Sequence, residues 1–340
     1  MSLVDRAVEV VERTGLPDPL ARAGIALLVE RSRRSLRLAD ASAAARFVRT
    51  MTGHPVAPHA EAANAQHYAL PPAFFGLILG PRRKYSCCLY DGAETLAAAE
   101  ERMLAETAGA AGLSDGQRIL ELGCGWGSLS LWLAERQPAS RITAVSNSAP
   151  QRAHIEAEAA RRGLGNLRVI TADMNAFDIG QTFDRVVSIE MFEHISNWPV
   201  LLGRIRRWLE PRGRLFLHVF SHRSVPYRFD HAGGADWIGQ HFFTGGIMPS
   251  HDLIDLVPAP FEVEFTRRWN GTHYRRTAED WLANFDREAA AIQPILQAVY
   301  GGDALLWRRR WRYFFLATAG LFGARGGDEW GVSHYRLRPI

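Results

Sequence analysis

Between Arg118 and Phe220 the chain alternates short apolar runs with longer stretches in which apolar residues recur every three or four positions. The runs are Arg118–Leu122 (RILEL), Arg141–Val145 (RITAV), Leu167–Thr171 (LRVIT), Phe183–Ile189 (FDRVVSI) and Arg214–Phe220 (RLFLHVF). Runs of this length bounded by turn residues predict strands. SLSLWLAER, Ala149–Arg162 and Trp198–Leu209, which lie between them, predict helices. Strands alternating with helices imply an α/β fold with a parallel, doubly wound sheet. The right-handed crossover rule then puts every strand's carboxyl end on one rim, where ligands bind.

The flanks follow other patterns. Residues 1–62 read as helices broken at Pro17, Pro19 and Gly53, and 51–64 as a Pro- and Gly-containing linker. From Pro71 to Ala111 the pattern is helical again, amphipathic from Ala93 onward. Residues 221–290 are rich in aromatics and turn signals and predict an insertion covering the rim. Two helical stretches follow, near 287–299 and 303–322, and the tail DEWGVSHYRLR alternates like a strand that closes the sheet. The expected organisation is an N-terminal helical region (1–112), a ligand-binding core (113–222), a cap with helices (223–325) and a closing strand (326–340).

With 340 residues, 47% of them hydrophobic, the chain is too apolar for a disordered protein and long enough for one large α/β domain with additions, or for two domains. No apolar stretch reaches the length of a membrane span, and the first residues lack a secretory pattern. Three cysteines, two of them adjacent, cannot build a disulfide framework, so a cytoplasmic setting is the default. They also lack zinc-type spacing, so no metal is expected. The net charge of +4 is weak support for a nucleic-acid partner. Lys84 is the only lysine. The arginine clusters at Arg31, Arg33, Arg34 and Arg37 and at Arg308, Arg309, Arg310 and Arg312 read as solvated helix faces, with a membrane-surface role open for one of them.

The clearest chemical signal is Glu121-Leu-Gly123-Cys-Gly125-Trp-Gly127, which ends the first strand and opens a helix. Glycines there let a ligand approach the backbone, and the helix N-terminus offers unpaired N–H groups and a positive field. The spacing is not the G-x-G-x-x-G of a dinucleotide site, no P-loop lysine is present, and the second strand ends in Ser146-Asn147-Ser148. The arrangement resembles the first motif of class I S-adenosylmethionine methyltransferases, with their Rossmann-like sheet.

Further motifs narrow the resemblance. Tyr85-Ser86-Cys87, the glycine turn, Ser146-Asn147-Ser148 with Gln151, and Met191-Phe192-Glu193-His194 are similar to the cyclopropane fatty acid synthase superfamily. Within it, the stretches Ser188–His194, Phe242–Ser250, Trp269–Tyr274 and Phe322-Gly323 with Glu329-Trp330 resemble the coclaurine-type alkaloid N-methyltransferases. The resemblance runs from about Gln66 to the C-terminus. It implies S-adenosyl-L-methionine as cofactor, held by Tyr85, Ser86, Gly123, Gly125, Ser146, Asn147, Gln151, Asp173 and Met174.

The same resemblance implies an amine substrate bound and deprotonated by Glu190, Glu193 and His194. Phe242, Trp330 and Tyr274 are expected to contact that small, aromatic or heterocyclic molecule, and Trp330 with Phe242, Phe243 and Trp237 to form an aromatic wall, since aromatic faces suit both a flat ring and a cation. The alternative is methyl or methylene transfer to an unsaturated acyl chain of a membrane lipid. By resemblance, bicarbonate would then sit near Cys87, Glu193, His218 and Tyr274. Position 190 separates the two, because the lipid enzymes usually carry a glycine there and a carboxylate beside an acyl chain is costly to desolvate. A non-catalytic binder is a third reading, against which the intact Glu190, Glu193 and His194 argue. DNA amino-methylation would require an Asn/Asp-Pro-Pro-aromatic turn where Glu190-Met-Phe-Glu stands, so no nucleic-acid partner is expected. A homodimer is compatible with the sequence.

Overall fold

The computed structural model describes residues 3–58, 70–229 and 236–340. The strands are β1 (Arg118–Leu122), β2 (Arg141–Ser146), β3 (Leu167–Thr171), β4 (Phe183–Ile189), β5 (Leu209–His222), β6 (Tyr227–Arg228), β7 (Ile247–Met248), β8 (Phe261–Asn270) and β9 (Trp330–Pro339). Seven of them form one sheet in the order β3-β2-β1-β4-β5-β9-β8, while β6 and β7 pair separately. The first five strands of that order run parallel, and β9 and β8 continue it antiparallel. Strand β1 is buried on both faces (Ile119, Leu120 and Leu122 are all fully buried), which is why it reads as a continuous apolar run.

The tail strand does not close the sheet at its edge. β9 is interior, and the edge strand is β8, within residues that the sequence pattern assigns to the cap. Its solvent side carries Glu262, Glu264 and Arg267, so its apolar signal is diluted. The linker proposed for 51–64 lies outside the described residues beyond Pro58.

Thirteen helices complete the described residues: α1 (Leu3–Thr14), α2 (Asp18–Arg37), α3 (Ala43–Met51), α4 (Pro72–Ile78), α5 (Leu96–Ala111), α6 (Ser128–Arg136), α7 (Ala149–Arg161), α8 (Trp198–Trp208), α9 (Trp237–His241), α10 (Leu253–Leu256), α11 (Thr272–Arg287), α12 (Ala289–Tyr300) and α13 (Ala304–Gly323). Local chemistry marks several ends. Thr95 accepts the Ala98 N–H at the start of α5, and Gly112 closes that helix in the left-handed conformation. Ser148 caps α7 through the Gln151 N–H, with Pro150 in its first turn.

The helical cap meets the sheet through an aromatic core. Phe74, Phe75, Trp281, Phe285, Trp311 and Phe315 are buried there together with Trp126 of the glycine turn, and the Phe75 and Trp126 rings lie 4.8 Å apart. Burying each such ring contributes about 1.5–3 kcal/mol, so the cap and the turn are held as one body. The arginines of α13 are not simply a solvated face. Arg310 pairs with the buried Glu12 of α1, and Arg312 makes paired hydrogen bonds to Asp18 of α2 and Asp286 of α11. These bonds fix the N-terminal helices on the cap.

The Arg312 guanidinium holds the Asp18 carboxyl below its ordinary value. A depressed carboxyl stabilises the fold above its unfolded pKa and loses that contribution as pH falls through the folded one. Arg312→Ala is therefore expected to lower stability by about 1 kcal/mol near neutral pH, the pairs being partly exposed. In urea titrations this difference shrinks below about pH 4, as the Asp18 carboxyl protonates.

Candidate functional site

Ligands bind α/β sheets where strand order reverses, and here that point lies between β1 and β4. Leu122 and Ser188 pair across it, so the glycine turn after β1 faces Glu190 after β4. The Gly123 and Cys124 N–H groups both donate to the Val145 carbonyl of β2, which pins the turn. Gly123 has φ 78°, and a Cβ there would strike the Met191 side chain at 2.6 Å. Gly125 has φ 52° and faces open space, so this part of the turn is an empty cradle that a side chain would fill.

Two cavities flank the turn. The first, partly open to solvent, is lined by Gly123, Gly125, Ser146, Asn147, Gln151, Asp173 and Met174, together with Glu190 and His194. The second is lined by Tyr85 and Ser86, by Glu121 and Ser128, and again by Gly123, Gly125, Gln151 and Glu190. All nine residues expected to hold the cofactor thus line one or both of two cavities that share Gly123, Gly125 and Gln151. Ser146 donates to the Gln151 carbonyl oxygen at 2.6 Å. The Gln151 Nε2 and the Ser128 hydroxyl are buried with no hydrogen-bond partner in the protein, as expected of groups that await a ligand. Asp173 lines the first cavity and also accepts the Asn175 N–H, so it stabilises the turn as well.

Glu121 and Ser128 are not marked by the sequence reading as site residues. Burial pushes the Glu121 carboxyl up to about 7, and Ser130 donates to it. Trp126, Ser128 and Leu129, at the opening of α6, line the same cavity. The helix start favours an anion and the carboxylate a cation.

Residues 80–88 are shaped by Glu100, a fully buried carboxyl on α5 that accepts the N–H groups of Arg82 and Lys84 at 2.8 and 3.0 Å. Burial raises it to about 7 against those bonds. Lys84 is buried beneath the loop, its ammonium donating to the Ser86 hydroxyl at 2.5 Å and the Cys87 carbonyl at 2.7 Å. The chain's single lysine is therefore an internal countercharge rather than a surface group.

Glu190 stands where the cavities meet, and its backbone is left-handed, with φ 48°. Such a conformation costs a side-chain-bearing residue about 1–3 kcal/mol and persists only where its surroundings hold it. Here the Glu190 N–H donates to the His218 carbonyl at 2.8 Å. Its carboxylate receives the Cys87 N–H at 2.9 Å, the His218 imidazole at 3.2 Å and the Tyr274 hydroxyl at 2.7 Å. Burial pushes this carboxyl upward, opposed by Lys84 and by the Cys87 and Tyr274 bonds. Burial raises the Tyr274 hydroxyl and the Cys87 thiol and depresses His218, so all three are neutral donors or spectators at pH 7.

The expected catalytic trio is divided. His194 lines the first cavity with its ring stacked on Phe243 at 4.4 Å. Glu193, fully buried, lines neither cavity; one oxygen accepts the Phe220 N–H at 2.6 Å and the other has no partner. Burial and the nearby Glu190 push its carboxyl well above the ordinary carboxylate range.

The aromatic residues named from the sequence are also spread apart. Phe242 is fully buried and stacked on Phe314 in the cap core, and it does not line either cavity. Trp330 is equally buried and donates to the Tyr227 hydroxyl at 3.1 Å. Phe243, the next residue in the chain, is the one that meets His194. Tyr274 lines neither cavity but donates to Glu190, its ring stacked on Phe322 at 4.4 Å.

The profile of the mycolic acid cyclopropane synthetase family matches residues 57–326. The chain is 33% identical over 285 residues to (S)-coclaurine N-methyltransferase of Thalictrum flavum subsp. glaucum, covering 82% of this chain and 79% of that one. Its fold superposes with a TM-score of 0.95 on a crystal structure of coclaurine N-methyltransferase bound to N-methylheliamine and S-adenosylhomocysteine. That structure is 29% identical, with 99% of this chain and 100% of that one covered. A cyclopropane synthase of Mycobacterium tuberculosis superposes at a TM-score of 0.71 with 25% identity, over 83% of this chain and 98% of its own. With its open glycine cradle beside a held carboxylate and a profile match across most of its length, this chain belongs to the mycolic acid cyclopropane synthetase family.

Proposed function

We propose that the chain is an S-adenosylmethionine-dependent N-methyltransferase acting on a small, ring-bearing amine. The cofactor fits the two cavities described above. Asn147 and Gln151 offer polar groups to ribose hydroxyls, Asp173 an acceptor to an adenine amine and Met174 an apolar face to its ring. In the second cavity the opening of α6 and the Glu121 carboxylate answer the two charges of an amino-acid group. When bound there, S-adenosylmethionine supplies a methyl group made electrophilic by its sulfonium.

The observation that carries the amine reading is the occupancy of Cys87, His218 and Tyr274. These are three of the four residues that would surround bicarbonate in lipid-directed chemistry, and all three donate to the Glu190 carboxylate instead. A second anion at that point would meet repulsion and find its donors engaged. A cationic amine meets the opposite situation, because the second lone pair of the Glu190 oxygen bonded to Tyr274 is open to an ammonium N–H.

The chemistry then requires two things of the protein. The nitrogen must be held in line with the methyl group, and it must lose a proton to expose its lone pair. Glu190 binds the ammonium form and fixes its place. His194, on the same cavity wall, takes the N–H proton, and Phe243 holds its ring in plane. The N-methylated product leaves as an ammonium whose charge still pairs with Glu190, and the His194 proton passes to solvent.

Glu190→Gln keeps the shape and removes the charge. With a tetrahydroisoquinoline as acceptor it is expected to lower kcat/KM roughly 30- to 100-fold, the worth of a charge-assisted bond. Calorimetric affinity for S-adenosylhomocysteine stays within about threefold, and the wild-type rate does not change when bicarbonate is removed. Methyl transfer confined to unsaturated phospholipid vesicles and dependent on bicarbonate overturns the amine reading.

Gly125→Val places a branched side chain into the cradle at positive φ. The expected result is loss of measurable S-adenosylhomocysteine binding in calorimetry, while circular dichroism shows a folded protein. Binding at wild-type affinity would remove the glycine turn from the cofactor site.

A further inference from the structure

Behind Glu190 the hydrogen bonds continue through a buried chain that the proposed chemistry does not use. His218 of β5 and His334 of β9 are direct partners across the antiparallel pair, and both are fully buried. The Nδ1 of His218 and the Nε2 of His334 lie 2.9 Å apart. One step further out, the Trp269 indole N–H of β8 donates to the Nδ1 of His334 at 3.2 Å. Trp269 reaches it diagonally, since Arg267 is the residue paired with His334 in register.

The chain has a direction. An indole nitrogen can only donate, so the Nδ1 of His334 carries no proton. A neutral His334 therefore holds its proton on Nε2 and donates it to the Nδ1 of His218. His218 in turn holds its proton on Nε2 and donates to Glu190. Both imidazoles are kept neutral by burial, His218 further by Lys84 and His334 further by His218, Lys84 and Arg267. The other ionisable groups about Glu190 are Lys84, Cys87, Tyr274 and Glu193.

We propose that His334 is a positioning residue of the methyl-transfer site: fixed by Trp269, it commits His218 to donate to Glu190 and so keeps Glu190 an anion that can hold a cationic amine. A Glu190 protonated on Oε1, the oxygen that faces His218, would have to donate to the Nε2 of His218. That needs the tautomer of both histidines reversed, which leaves the Trp269 N–H facing another N–H. Burial alone favours the neutral carboxyl. The directed chain opposes it with a donor that cannot turn into an acceptor. Tyr274 and the Cys87 N–H add two more donors, of which only the hydroxyl is able to reverse.

The proposal rests on the amine reading for its consequence but not for its structural content, and the experiment separates the two. In uniformly ¹⁵N-histidine-labelled full-length protein, long-range ¹H–¹⁵N spectra report tautomers without any substrate. The signals are assigned by their loss in His334→Gln and His218→Asn. His218 and His334 are expected as neutral Nε2–H tautomers from about pH 6 to pH 9. A proton on Nδ1 of either ring, or a charged imidazole in that range, overturns the proposal whatever the substrate is.

Activity supplies the second readout. Gln is able to accept from Trp269 through its oxygen and donate to His218 through its nitrogen, whereas Phe fills the space and does neither. With an amine acceptor, His334→Phe is expected to move the acid limb of kcat/KM upward by about one pH unit. On the acid side of the limb that gives roughly a tenfold loss, which shrinks and disappears as the pH rises past it. The loss falls chiefly on KM, since the charge that binds the ammonium is what weakens. His334→Gln retains the wild-type profile. Equal, pH-independent losses in both variants mean that His334 only packs, and the proposal falls. If no amine is methylated yet the wild-type tautomers are as stated, the amine reading fails and the directed chain stands.

Discussion

Three donors from three distant parts of the chain converge on one carboxylate. Cys87 contributes its N–H from the loop before α5, His218 its ring from β5 and Tyr274 its hydroxyl from α11, and Glu190 receives them all after β4. A buried carboxylate without partners would be protonated or would prevent folding. With these partners it becomes the knot that ties loop, sheet and cap together. The left-handed backbone of Glu190 belongs to the same constraint. A glycine would adopt that conformation without strain, and it is the residue expected at this place in the lipid-directed enzymes. A glutamate there means that the strain is tolerated for the sake of the carboxylate.

Much of this architecture is visible in the pattern of the chain. The five parallel strands are short apolar runs because both of their faces are covered, and the glycine turn announces itself through spacing that only a close backbone approach requires. Glu190 and His194 follow β4 directly, so their placement on the rim is a consequence of strand direction. What escaped has a physical reason in each case. Strand β8 is an edge with charged residues on its open side, so its alternation looks like surface. Phe242 and Phe243 are chemically identical neighbours, and only the turn of the chain between α9 and β7 sends one to the cap core and the other to His194. His334 carries no local signal at all, because its meaning lies in the register between β5 and β9.

The buried charges of the site form a graded set rather than a collection of isolated costs. Lys84 lies under the loop that presents Tyr85, Ser86 and Cys87, and its field lowers the carboxyls of both Glu100 and Glu190. Glu100 is turned to structural work, holding the N–H groups of Arg82 and Lys84. Glu193 is next to His194 in sequence, yet its own burial and the charge of Glu190 push its carboxyl well upward. Two like-charged carboxylates in close quarters disfavour joint ionisation, and Glu190 has more donors than Glu193. The surroundings thus favour Glu190 over Glu193 as the anion.

That selection bears on how the site handles a cation. A carboxylate already satisfied by neutral donors does not need to reorganise when an ammonium arrives, so the attraction is not offset by breaking bonds. In the proposed reaction the ammonium gives its proton to His194, and Glu190 is left with the same three donors rather than stranded as an unpaired charge. On that reading the site passes between a bound cation and a bound neutral amine at small cost in either direction. A bicarbonate ion would lack this property here, because it would have to displace a covalently anchored rival from the same donors. On the proposed reading, one carboxylate, fixed by residues from the loop, the sheet and the cap, governs both what the cavity admits and what it excludes.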